Sequence, residues 1–233
     1  MNIDPEKPVQ PAMQERCAVR LANDATALDA RSCGRMQVAV KRFGPRVLNA
    51  GLRFPVVKTA FRDRATGDVV VRETAVSADI RPNSGNVAPY PFGPPEVRID
   101  FPGLALDCLS PWLPGLLWLD DTLIAGADPI TVGLGLLQGF APGRPVGIPC
   151  LWRQGGWTPD CDLVFVARQV HRMLADPGDY SPTDAMNAEA ALHWAAHKKD
   201  LPFEPPIPEL YGEVGKGART PRRALRFTLS ALE

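Results

Sequence analysis

The chain has 233 residues, enough for one domain with a real core, or for one domain and an extension. Apolar residues make up 45% and charged residues 22%, with Lys+Arg and Asp+Glu at 26 each. The formal net charge is therefore zero, and composition points to neither nucleic acid nor an anionic membrane as a partner.

Residues 1–11 read as a polar lead, and Met1 to Lys7 contains no apolar signal core. Residues 12–31 have helical composition, with Val19, Leu21 and Leu28 giving a fragmentary apolar stripe. From Arg35 the pattern changes to strands. Met36, Val38 and Val40 alternate with polar or small residues, and Leu52 to Phe61 is rich in Phe, Val and Thr. Arg64 to Asp68 is a turn signal, and a further β-rich run extends from Val69 to about Ile80. Pro82 to Asn86 is loop, after which Glu96 to Phe101 alternates as a strand with one buried face. These runs predict four antiparallel strands in a meander.

Residues 102–146 carry Trp112, Trp118, many leucines and scattered glycines. A short helix is expected over Asp128 to Phe140, with the rest partly buried and irregular. The stretch is too apolar for a free loop and is expected to fold back on the body of the domain or on a partner. Thr158-Pro159-Asp160-Cys161-Asp162 reads as a helix start capped by Thr158, followed by Leu163, Val166, Val170 and Met173 at helical spacing. Ser181-Pro182-Thr183-Asp184 reads as a second cap, for a helix running to about Lys199. Residues 200–233 read as an extension, proline-rich and then basic. The grouping of strands ahead of paired helices predicts an α+β layer arrangement.

The five cysteines, Cys17, Cys33, Cys108, Cys150 and Cys161, are irregularly spaced and form no CxxC pair, so no metal site is expected. No apolar run is long enough to span a bilayer, and a cytoplasmic protein with reduced thiols is expected. No glycine-rich phosphate loop follows a strand, so no cofactor is expected. His193 and His197 share a helix face without an acidic or cysteine partner in sequence, and His171 has no flanking motif that would make it the base of a cysteine protease.

Cys150 stands out. It lies in Gly147-Ile148-Pro149-Cys150-Leu151, ahead of Trp157-Thr158-Pro159 and of a helix-like run ending Leu174-Ala175-Asp176-Pro177. Upstream lies Tyr90-Pro91-Phe92-Gly93-Pro94-Pro95, just before the fourth predicted strand. Downstream, Asp179, Ser181 and Glu189-Ala190 complete the series. In this order the segments resemble the ubiquitin-conjugating enzyme family over residues 12–199. The resemblance implies a UBC-like fold: an N-terminal helix, a four-stranded antiparallel meander, an active-site loop and two C-terminal helices. It departs from the family in two respects. Residues 102–149 contain no His and no Asn, so the family's His-Pro-Asn element is missing. The connection from Pro95 to Cys150 is also longer than the family's, which makes 102–146 an insert. The chain looks like a divergent bacterial branch, similar to conjugating components encoded with ubiquitin-like modifiers and activating enzymes in antiviral defence operons.

What the resemblance implies is an acyltransferase. Cys150 would carry a ubiquitin-like protein as a thioester, received from an activating enzyme and passed to a nucleophile on a target protein, with no cofactor. A thiol can do this without a triad, because the substrate arrives activated. Asp179 and Ser181, with Asp176, fall where the family places polar residues that orient an incoming lysine; the same residues also suit helix capping and loop solvation. Gly147, Leu151 and Trp157 would shape the loop and groove. In place of the missing asparagine, backbone N–H groups near Gly147 or the Gln138 amide would serve the oxyanion. Cys108, in Asp107-Cys108-Leu109, is a rival nucleophile with no capped helix after it, and Cys161 is expected in a first helical turn. A non-catalytic adaptor of the same fold, binding a modifier or partner protein, is the alternative function.

Overall fold

Alanine, leucine and long polar side chains through Pro11–Ser32 build the first helix, α1. Cys17, Leu21, Ala25, Leu28 and Ser32, three or four residues apart, form its buried face. The computed structural model describes residues 11–32, 35–43, 46–82, 89–120, 145–151 and 156–211. The polar lead, Cys33, Gln138, the helix expected over Asp128–Phe140 and the basic end of the extension lie outside them.

The meander follows in chain order: β1 (Gln37–Phe43), β2 (Arg46–Asp63), β3 (Val69–Arg81) and β4 (Glu96–Asp100), each antiparallel to the one before. β2 and β3 pair from Ala50↔Ile80 to Arg62↔Val69, with one shift in register between Phe54 and Val57. Pro55 falls in that shift, where a residue without an N–H costs no ladder bond. The β2–β3 turn closes on Asp63, whose carboxylate accepts the N–H groups of Ala65 at 2.8 Å and Thr66 at 3.0 Å. These bonds hold its pKa below the ordinary carboxylate value. Gly67 takes φ +80 there, a conformation side chains rarely adopt.

Beyond β4 the sheet is larger than the four strands expected. β5 (Leu109–Pro111) pairs with the end of β2, and β6 (Leu116–Leu119) pairs with β7 (Val146–Pro149). β7 in turn pairs with β4, giving seven strands in the order β1-β2-β3-β4-β7-β6, with β5 off that path. The first part of the 102–146 stretch is thus sheet, with Leu113, Leu116 and Leu119 buried in place.

Among the described residues three α-helices follow the sheet: α2 (Leu163–Ala175), α3 (Ala188–Ala196) and the short α4 (Pro208–Tyr211). Both expected caps are displaced toward the C-terminus. Asp162, not Thr158, caps α2 by accepting the Phe165 N–H at 2.9 Å. Asn187, not Ser181, caps α3 by accepting from Ala190 at 3.0 Å. α1 and α2 pack on each other and both on β2, with α4 against both helices. The core between them includes Phe54, Phe61, Phe101, Leu163 and Met173, all fully buried. The protein is therefore α+β, with an N-terminal helix, an antiparallel sheet and C-terminal helices. No helix among the described residues is long and apolar enough to cross a membrane.

Candidate functional site

The segment Pro111-Trp112-Leu113-Pro114-Gly115 is rich in free acceptors, because its two prolines have no N–H to offer and its carbonyls look elsewhere. The Trp112 N–H donates to Ala60 at 2.9 Å, while its carbonyl accepts the indole N–H of Trp194 at 3.1 Å. The Pro114 carbonyl accepts from the backbone of Asn187 at 3.1 Å, and the Gly115 carbonyl accepts from Cys150 at 2.7 Å. One turn therefore ties β5, β6 and the start of α3 to the candidate nucleophile.

Cys150 itself directly follows β7 and is half-buried. Its N–H is held by Gly115, and its carbonyl accepts the Tyr180 hydroxyl at 3.2 Å. Leu151 turns inward to the core at 7% exposure. Gly147 lies within β7, paired with Ile99 on one side and Trp118 on the other, which commits its backbone to the sheet ladder rather than to an oxyanion. A Cβ there would stand 2.7 Å from the Leu116 side chain, so the glycine serves a close approach of β6 to β7.

Trp157 sits where two of the distinctive segments meet. Its indole N–H donates to the Pro91 carbonyl at 2.9 Å, and its ring packs against Tyr90 at 5.7 Å and Phe165 at 6.2 Å. Tyr90 is fully buried and hydrogen-bonded to Asp24, which also pairs with Arg20 on α1. Burial, then the Asp24 carboxylate, drives the Tyr90 pKa far up, so it stays a neutral phenol. The Tyr-Pro-Phe element and the Trp-Thr-Pro element are thereby one structural unit anchored on α1.

Among the other candidates, the hydrogen bonds of Cys161, His171 and Ser181 run to residues other than Cys150. Asp179 ends a 3-10 turn, Pro177–Asp179, two residues before Ser181. Ser181 is exposed and its hydroxyl is engaged locally, 2.8 Å from that of Thr183. Cys161 precedes the Asp162 cap and so lies outside α2, not in its first turn; its sulfur rests 3.4 Å from the Thr158 N–H. Cys108 is exposed next to β5, and Cys17 is buried on α1, where desolvation raises its pKa. His171 is buried on α2 with its Nε2 2.8 Å from Glu204. His193 and His197 stack face to face, centroids 4.2 Å apart, an arrangement of rings rather than of converging nitrogens. No group of three or more His, Cys, Asp or Glu among the described residues could hold a metal ion.

Beside the Pro111–Gly115 turn an open groove of about 660 Å³ runs between β6 and the start of α3, walled by Trp112, Trp118, Met186 and Glu189, with Arg64 and Asp120 at its rim. The residue that sequence reasoning missed is Tyr180. It stands between two candidates, yet only its contact with the Cys150 carbonyl reveals it. No family model, no curated protein and no solved structure matches this chain.

Proposed function

We propose that this chain is a ubiquitin-conjugating-type acyltransferase with a UBC-like fold, carrying a ubiquitin-like protein as a thioester on Cys150. The observation that carries the reading is a half-buried cysteine on a backbone fixed at both its N–H and its carbonyl. The join of Trp157 to Tyr90 and Pro91 supports it, as does the helix, meander and helix order.

In the first step the Cys150 thiolate attacks the carbonyl carbon of a modifier thioester on an activating enzyme. A new C–S bond forms, the old one breaks, and the activating enzyme's thiolate leaves. In the second step an amine on a target attacks the same carbon. The C–N bond forms, Cys150 leaves as thiolate, and the amine proton passes to solvent or to a carboxylate such as Asp179 or Asp176. A non-catalytic adaptor would need the scaffold but not an accessible thiol, so the partial exposure of Cys150 favours the enzyme.

The test is reconstitution with an activating enzyme and a ubiquitin-like protein. A covalent adduct sensitive to reducing agent is expected with the wild type and lost with Cys150→Ala. Cys150→Lys should trap the modifier in a stable form. An adduct that persists in Cys150→Ala and vanishes with Cys108→Ala would transfer the role to Cys108.

A further inference from the structure

We propose that Tyr180 is a positioning residue for the Cys150 thiol, acting through the nucleophile's own backbone; this rests on the reading of Cys150 as nucleophile. Three residues from three parts of the chain meet here. The Gly115 carbonyl accepts the Cys150 N–H at 2.7 Å, and the Tyr180 hydroxyl donates to the Cys150 carbonyl at 3.2 Å. The Tyr180 ring lies so close over Gly115 that a methyl group on that glycine would occupy the same space as the ring. The ring is thus seated by Gly115, and its hydroxyl is aimed by that seating.

The approach to Tyr180 is itself fixed. The 3-10 turn Pro177–Asp179 begins at Asp176, the C-cap of α2, and Tyr180 then extends away with φ −87 and ψ 125. A carbonyl adjacent to a reacting sulfur presents partial negative charge to a thiolate and to the oxyanion of its thioester. A hydroxyl donating to that carbonyl offsets this charge and holds the following peptide in one orientation. With both backbone polar groups bonded, the thiol keeps chiefly the rotation about its own Cα–Cβ bond, which confines the sulfur to a few staggered positions. A phenylalanine would fill the same seat over Gly115 but could not donate, so the hydroxyl is separable from the packing.

Iodoacetamide labelling of the full chain, read site by site as peptide masses across a pH series, tests this without any modifier. Tyr180→Phe should slow labelling at Cys150 by about fivefold near neutral pH, the equivalent of one neutral hydrogen bond. The midpoint of the Cys150 labelling curve should move to higher pH. Labelling at exposed Cys108 should not change, and the thermal midpoint should stay within about 3 °C of wild type. A wild-type or faster rate at Cys150, with an unmoved midpoint, overturns the proposal. So does faster labelling of buried Cys17 with a large fall in thermal midpoint, because that marks general loosening. If Cys150 labelling depends on Tyr180 but Cys150 forms no thioester on reconstitution, it is the conjugation reading that fails.

Discussion

The β2–β3 hairpin and the segment that presents Cys150 belong to one sheet but are held by different means. The hairpin pairs along most of two long strands, and its inward side chains Val76, Ala78 and Ile80 alternate into the core. β7, which leads to Cys150, meets β4 through the single pair Ile99↔Gly147 and β6 through four residues. Around Cys150 the structure relies instead on individual hydrogen bonds from Tyr180, Trp194, Asn187 and Cys150 itself. Distributed burial makes the first region tolerant of small local changes, whereas the second depends on a few particular atoms. A loop built this way can be retuned by single substitutions without disturbing the fold.

Substitutions in the two regions should therefore differ in kind. Phe61, fully buried on β2 and edge-on to Phe101 at 5.4 Å, belongs to the first. Phe61→Ala should cost about 3–5 kcal/mol of global stability, read as a lowered urea midpoint. A loss under about 1 kcal/mol would show that the core relaxes to fill the space. Gly115→Ala should cost less, about 1–3 kcal/mol, because the Tyr180 ring must move off its seat. The damage should be local. Amide exchange should accelerate at Cys150 and Leu151 while Val76 to Ile80 stay protected. Equal acceleration in both places would erase the distinction between the regions.

The smallest effect concerns pH. His171 lies 1% exposed on α2 against Phe54, and burial lowers its pKa below the ordinary 6.5, only partly opposed by Glu204. The folded state thus binds the proton less readily than the unfolded state. Its contribution to stability is complete above about pH 6.5 and is lost as pH falls through the lowered folded value. His193, lowered first by burial and then by His197, adds a slope of the same sign. Thermal midpoints should fall from pH 7 to 5 in the wild type and less steeply in His171→Gln. Parallel slopes would assign the effect to other groups.

Much of the hairpin region was legible in the sequence. Alternation announced β1 and β4, β-rich composition announced β3, and the apolar spacing at Leu163, Val166, Val170 and Met173 announced α2. The region around Cys150 was harder to read. β5, β6 and β7 are three or four residues long, too short for alternation to register, and each is bounded by proline or glycine that reads as loop. The caps were placed early because Thr158-Pro159 and Ser181-Pro182 imitate a helix start, while Asp162 and Asn187 carry the extended backbone and the capping bond. Trp157 was expected in the active-site loop, and the structure adds its bond to Pro91. Tyr180 could not be found from the sequence, because a tyrosine in a polar loop carries no pattern. Its meaning comes entirely from Gly115 and Cys150, distant along the chain.

The residues after α3 also pack on the body. Following the 3-10 turn Lys198–Asp200, the Phe203 N–H donates to Ala175 at 2.8 Å, and the Phe203 ring meets Trp194 edge-on at 5.0 Å. Glu204 reaches both His171 and the Lys58 N–H, and Leu210, 1% exposed, offers its carbonyl to the Arg168 guanidinium at 2.7 Å. These contacts turn a boundary that looked natural at residue 199 into a cut through the domain interior. A recombinant fragment ended there would lose Leu210 from beside α1 and α2 and leave His171 without its carboxylate. Fragment design for expression, and the reading of any proteolytic map, should treat the strap up to Leu210 as part of the folding unit.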